Sequence, residues 1–192
     1  LEFIEIMNKR IELKMNTIEI RQASKKDVKF IALLGRITFS ETFAHYFSYE
    51  QDLLDYLEAT FSLDKMENSI DKPNNKYWIA TVNNLPVGYA KLKLNSASEF
   101  TLANQVCQLQ KIYVLKDFLS MKIGSELQHH LLKKAKHLGF KEIWLSVLQE
   151  NTRAISFYNK SGFEKIGEHD FQIGRENFRF FVMKKDLQIT EE

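Results

Sequence analysis

Two segments of the chain carry residues whose types and spacing could do chemistry. The first is LSMKIGS, residues 119–125, placed between an apolar run and a long amphipathic stretch. A loop that leaves a strand and opens a helix aims backbone N–H groups at one point. The helix N-terminus adds about half a positive charge there. Lys122 adds a full charge, so Leu119, Ser120, Met121, Lys122, Ile123, Gly124 and Ser125 form a candidate pyrophosphate cradle. Phosphate-cradling loops usually carry several glycines, whereas this one has Gly124 alone, and in isolation it reads as an ordinary turn. The second segment is QENTRAISFYNKSGF, residues 149–163. Taken singly, Asn151 is most simply a helix N-cap, Phe157 a core residue and Tyr158 a half-buried aromatic.

The elements that must position these segments follow from hydrophobic period. Alternation predicts a strand over 17–23. Ser24 with Asp27 forms a capping-box-like start, and apolar steps of three and four carry a helix to about Phe43. A second helix carries Leu53, Leu54, Leu57 and Phe61 on one face, and a short third covers 63–70. Strands at 76–82 and 87–95 flank the tight turn NNLP. A strand at 105–115, a helix at 122–138 and a strand at 141–147 make a crossover unit, which requires parallel strands. A helix runs from Asn151 to Gly162, with Gly162 suited to a left-handed C′ position, and strands 163–171 and 178–187 close as a hairpin-like pair. The expected fold is α/β (α+β): a mixed, mostly antiparallel sheet of about six or seven strands, helices on both faces, and one parallel β-α-β crossover.

Together the two segments mean more than either alone. Asn151, Ala154, Phe157, Tyr158, Gly162 and Phe163 match the pattern N-x-x-A-x-x-F-Y-x-x-x-G-F, at the expected distance after the 119–124 loop. In this the chain resembles the GNAT superfamily of acyl-CoA-dependent N-acetyltransferases, whose element order is also the one predicted here. The stretches ITFSETFAHYFS, DYLEATFS, PVGYAKLKLN, KIYV, KEIWLSVLQENTRAISFYNKSGF and GEHDFQIG are similar to the PaiA-type polyamine (spermidine/spermine) acetyltransferases over about residues 17–187.

The resemblance implies acetyl-CoA as co-substrate and no metal. It implies that backbone groups around Ile112, Tyr113 and Val114 hold the pantetheine arm and the tetrahedral oxyanion, and that residues 119–125 hold the pyrophosphate. Asn151, Ala154, Phe157, Tyr158 and Lys160 complete the cofactor site, and Tyr158 acts as catalytic donor to the leaving sulfur. It also places the first helices over the acceptor, with Glu41, His45 and Tyr49 as a wall for a polyamine or similar primary amine. A low-activity CoA-binding regulator, or an acetyltransferase of proteins or peptides, remains as an alternative.

Two departures stand out. Aligned to the family loop Q/R-x-x-G-x-G/A, the chain has Leu119 in place of Gln or Arg and Lys122 in place of the middle glycine. Backbone contacts survive the second change provided that position does not require positive φ. Relatives often carry a Glu base on the preceding strand, where this chain has Gln108 and Gln110.

Composition bounds the rest. The chain has 192 residues with 44% hydrophobic, enough for one packed core and one domain over 15–192. Residues 1–14 read as an upstream extension, with Met7 or Met15 as a candidate start. A net charge of +2 gives no case for nucleic-acid binding. No apolar run approaches the roughly 20 residues of a membrane helix. One cysteine, Cys107, excludes an intrachain disulfide and fits a cytoplasmic setting. Six carboxylates and no Lys or Arg lie between Glu41 and Asp64, a segment that could meet a cation. The expected partners are acetyl-CoA and a small amine, and a homodimer is admitted.

Overall fold

The computed structural model describes residues 17–101 and 105–187, so the predicted 1–14 extension lies outside the described residues. Seven strands form one sheet: β1 Ile18–Gln22, β2 Asn75–Val82, β3 Leu85–Lys93, β4 Val106–Val114, β5 Glu142–Leu148, β6 Glu164–Ile173 and β7 Glu176–Asp186. Their spatial order is β1-β2-β3-β4-β5-β7-β6. Every neighbouring pair is antiparallel except β4 and β5. The helices are α1 Val28–Phe43, α2 Glu50–Phe61, α3 Leu63–Ile70, α4 Ile123–His137 and α5 Thr152–Lys160. The expected fold class is therefore the observed one, down to the single parallel pair.

Local chemistry accounts for the boundaries. Asn83 and Asn84 take φ of 50° and 66°, which makes the β2–β3 connection a turn whose twist matches the flanking strands. Gly162, at φ 79°, ends α5 where predicted. Phe163 N–H donates to Tyr158 O and Gly162 N–H to Asn159 O, the paired bonds that close a helix end through a left-handed residue. The hydrophobic contact that accompanies such an end is Tyr158 against Phe163, edge to face at 5.7 Å.

Alternation along the strands divides the core. Trp78, Ala90 and Leu92 point to one face, where the α4 stripe Ile123, Leu127, Leu131 and Ala135 is fully buried with Ile143 and Leu145. Tyr77 and Tyr89, the intervening residues, point to the other face, against Val28, Ile31, Ala32 and Leu34 of α1. Each large side chain so buried contributes about 1.5–3 kcal/mol. A third cluster, Phe39, Leu53, Leu57 and Phe61 with Leu148, Ile173 and Phe178, ties α1 and α2 to the far half of the sheet.

Parallel pairing between β4 and β5 is short. Only Val106–Gln108 pairs with Glu142–Trp144. On its other edge β4 pairs Lys111 with Lys91 and Leu109 with Leu92, so Gln110 is an extra residue, a bulge. Past this point the two strands separate.

The start of α1 is fastened by charge. Asp27 is buried, and Arg21 donates to both of its oxygens at 2.7 and 2.8 Å. The Ser24 N–H adds a third bond at 2.8 Å, completing the predicted capping box. The Arg21 bonds are the main reason its carboxyl is lowered to about 2, with Ser24 helping against the cost of burial. A carboxyl depressed in the folded state stabilises above its unfolded value near 4, and loses that contribution as pH falls toward 2. Asp27→Asn is expected to lower unfolding free energy by ~2 kcal/mol at pH 7. In urea titrations the difference from wild type should fade between pH 4 and pH 2.

Candidate active site

Where β4 and β5 part, a cavity of about 650 Å³ opens between them. Beyond Gln108, β4 keeps β3 on one edge and, among the described residues, has no strand on the other. Half of the backbone N–H and C=O groups of Leu109–Val114 therefore face the gap, where an extended ligand can pair with them as an added strand.

One half of the cavity is built by helix starts. The chain leaves β4 through a 3-10 turn, Lys116–Met121, and then Lys122 takes φ 58°, ψ 12° before α4 begins. A right-handed turn followed by a left-handed residue points successive N–H groups to one side, a concavity suited to an anion. The first bonds of α4 run from Ser125 and Glu126 N–H to Lys122 O, so the N–H groups of Ile123 and Gly124 precede the helical ladder. A Cβ on Gly124 would meet only Phe157, at 4.0 Å, so its Cα faces open cavity. Across the gap, Asn151 caps α5 by accepting from Ala154 N–H at 3.0 Å. Phe157 and Tyr158 then fall on the inner side, with the Tyr158 ring buried and burial pushing its hydroxyl well above the ordinary tyrosine range. Tyr158 is therefore a donor across the neutral range.

The other half is aromatic. Phe39 stacks on Phe43 at 4.5 Å and packs on Tyr56 at 4.6 Å, and Phe178 and Phe180 face them from β7. Glu41 lines this half and accepts from Lys116 N–H at 3.1 Å. Lys111 lies over the rings of Phe61 and Tyr113 at 5.0 and 5.2 Å, and burial brings its ammonium down to about 8. Ser146 Oγ and His169 Nε2 sit 2.9 Å apart on the lining. Cys107 is buried outside the lining, with its thiol pushed up to about 12 by burial.

Comparison with known proteins identifies this arrangement. The family model described as Acetyltransferase (GNAT) family matches residues 38–163. The chain belongs to the GNAT acetyltransferase family. It is 29% identical over 173 residues to the uncharacterized N-acetyltransferase in the pepI 3′ region of Lactobacillus delbrueckii subsp. lactis, covering 90% of this chain and 99% of that one. It is 27% identical over 152 residues to the spermidine N(1)-acetyltransferase of Thermoplasma acidophilum, covering 77% and 89% respectively. The crystal structure of the PaiA N-acetyltransferase from Thermoplasma acidophilum in complex with coenzyme A superposes with a TM-score of 0.71 at 26% identity, over 88% of this chain and 99% of that one. The protein is thus a GNAT-fold N-acetyltransferase that uses acetyl-CoA, as the sequence resemblance implied. The residues present fit that co-substrate: a concave run of N–H groups, a glycine whose Cα is open to it, and an unpaired strand edge.

Of the sequence-predicted GNAT cofactor residues, Ile112, Tyr113, Val114, Leu119, Lys122, Gly124, Ser125, Asn151, Ala154, Phe157 and Tyr158 line the cavity. The side chains of Ser120, Met121, Ile123 and Lys160 do not, Ile123 being fully buried under the sheet. Lys122 also departs from expectation, because its φ is positive. The condition set for the loop was that φ stay negative, yet the left-handed residue is what gathers the N–H groups. Among the acceptor candidates, Glu41 lines the cavity, whereas His45 and Tyr49 do not. The chain turns through Ala44–Tyr46 after α1, which lays His45 on Tyr46 at 3.9 Å, while the Arg175 guanidinium covers Tyr49 at 4.1 Å. Of the other acids in the 41–64 segment, Asp52 accepts from Arg175 N–H, Asp55 from Gln51 and Glu58 from Arg36. Sequence reasoning assigned nothing to Lys111, Ser146, Arg153 or His169, all on the lining. Ser146 alternates with the core residues Leu145 and Val147, and that was the available signal.

Gly124 offers a direct test of the cradle. Gly124→Val is expected to leave the melting temperature within about 3 °C, since the added methyls enter open space. The same change should raise the acetyl-CoA Kd about tenfold or more, ~1.4 kcal/mol by calorimetry.

Proposed function

We propose that this N-acetyltransferase transfers acetyl from acetyl-CoA to a primary amine, a polyamine such as spermidine or a similar small amine, by direct attack on the thioester. The observation that carries this reading is the two-sided gap: a backbone anion cradle with a free strand edge on one side, and an aromatic chamber with one carboxylate on the other. The pyrophosphate lies against the N–H groups of Ile123 and Gly124 beside Lys122, and the pantetheine arm runs along the open edge of β4. An N–H of that same edge, among Ile112–Val114, stabilises the oxyanion. Tyr158, whose hydroxyl holds its proton firmly, acts by donating a hydrogen bond to the departing sulfur. Cys107 is out of reach and its thiol stays protonated, which supports direct attack over a cysteine-linked intermediate.

The acceptor class draws support from the relative named a spermidine N(1)-acetyltransferase. It draws further support from Glu41 and the ring faces of Tyr56, Phe39, Phe43, Phe178 and Phe180, where an ammonium gains about 0.5–2 kcal/mol per well-placed ring. Lys111 in the same chamber opposes a cation weakly. Burial brings its ammonium down to about 8, so it sheds its proton more readily than an ordinary lysine.

Purified protein mixed with acetyl-CoA and an amine panel is expected to release free thiol fastest with spermidine or spermine. Mass spectrometry should show one acetyl added to a primary amine. Tyr158→Phe should lower kcat by roughly tenfold to a hundredfold, with acetyl-CoA affinity unchanged. Faster turnover with peptide N-termini or lysine peptides would move the acceptor to proteins, and no turnover with any amine would sink the reading.

A further inference from the structure

We infer that Ser146 and His169 form a proton relay that takes the proton from the acceptor ammonium. This rests on the acetyltransferase reading above and assigns the group that reading lacks. An alkylammonium near pKa 10 is almost wholly protonated at pH 7 and cannot attack until it loses a proton. Gln108 and Gln110, which β4 brings to the cavity, have no basic atom, and Gln108 Oε1 accepts from Ser96 Oγ at 3.3 Å.

The hydrogen bonds around His169 fix its direction. Nδ1 lies 3.3 Å from the carbonyl oxygen of Asp170, and a carbonyl can only accept, so Nδ1 carries the proton. Nε2 is then the ring's acceptor, and it lies 2.9 Å from Ser146 Oγ. The Ser146 hydroxyl must donate to it, which leaves the serine lone pairs free for the cavity. The ring is held in this pose by Phe180, stacked at 5.5 Å with planes 10° apart. Ser146 stands two residues past Trp144, the last residue of β5 paired with β4, and so at the mouth of the gap. It points to the same face as Leu148, which packs with the aromatic chamber, whereas Val147 points to the other face.

The step balances. The ammonium gives a proton to Ser146 Oγ as the serine's own proton passes to Nε2, leaving a neutral amine and an imidazolium. The amine nitrogen bonds to the thioester carbon, the C–S bond breaks, and the proton lost from nitrogen on bonding ends on sulfur. His169 returns its proton to solvent, so ammonium and acetyl-CoA give amide, free thiol and one proton.

Other charged groups bear on the relay. Lys111 on β4, Arg153 on α5 and Glu41 on α1 line the same cavity. Tyr56 on α2 lines the chamber, and its hydroxyl is raised by burial and stays neutral. On β6 itself, Asp170 is paired with Arg179 of β7, and Glu168 with Lys165.

The test measures kcat from pH 6 to pH 10 for wild type, His169→Gln and Ser146→Ala, with the best amine of the panel. Each variant is expected to lose about a hundredfold in kcat near pH 7, with the acetyl-CoA KM within about twofold. The deficit should shrink below about tenfold by pH 10, where solvent supplies neutral amine. Imidazole nitrogen NMR of the wild type should show the Nδ1–H form of His169. A His169→Gln enzyme equal to wild type across the range overturns the relay alone, as does an Nε2–H imidazole. A Ser146→Ala deficit that persists at pH 10 overturns it too, because a nucleophilic serine would behave that way. A wild type inactive with every amine overturns the underlying reading and the relay together.

Discussion

Everything at this site depends on parallel strand pairing that stops early. β4 and β5 share three residue pairs and then diverge, with a bulge at Gln110 on the opposite edge of β4 turning the strand away. A sheet broken in its middle would ordinarily leave an unsatisfied backbone edge inside the protein, at a cost of about 1–3 kcal/mol for each buried group. Here the edge opens on a cavity instead, where a ligand's amides can replace the missing strand. The β-α-β crossover places α4 at the carboxyl end of β4, and the strand after it leads into α5. Both helix starts thus converge on the gap without any dedicated binding domain.

The loop that joins β4 to α4 shows how a local cost serves that geometry. A non-glycine residue in the left-handed region costs roughly 1–2 kcal/mol. Lys122 accepts it, and α4 offsets it many times over by burying Ile123, Leu127, Leu131 and Ala135 completely. The left-handed turn gathers N–H groups, and the lysine adds a charge where a glycine would add none. Lys122 therefore combines a left-handed backbone with a positive charge at one position.

Period and spacing made most of the fold legible. The α4 stripe, the Asn-Asn turn and the Gly162 helix end each follow from short-range chemistry, and each is where the residues put it. Parallel pairing of β4 and β5 followed from the crossover alone. The insertion of β7 between β5 and β6 did not, since it depends on long-range register that no local pattern carries. The site divided the same way. The half of the cavity built by helix starts is written in contiguous motifs, so its lining was legible. The aromatic half is assembled from α1, α2, β4, β5, β6 and β7, and the direction of each side chain there depends on tertiary packing. Hence the acidic segment 41–64 looked like a cation wall, while the structure turns several of its carboxylates to Arg36, Gln51 and the Arg175 backbone, leaving Glu41 on the lining.

That division also bears on where a base for the proposed reaction can stand. In the proposed reaction a tyrosine on α5 whose proton is held tightly by burial serves as a donor, on the thiol side of the reacting carbon. The acceptor of the amine's proton must stand on the opposite side, but nothing binds it to one strand. Any element whose face reaches the mouth of the gap can supply it. With Gln at 108 and 110, β4 cannot do so, whereas β5 and β6 reach the mouth together through Ser146 and His169. Tyr158 is tied to a motif because the helix end that orients it also packs it on Phe163. The acceptor is tied only to a place.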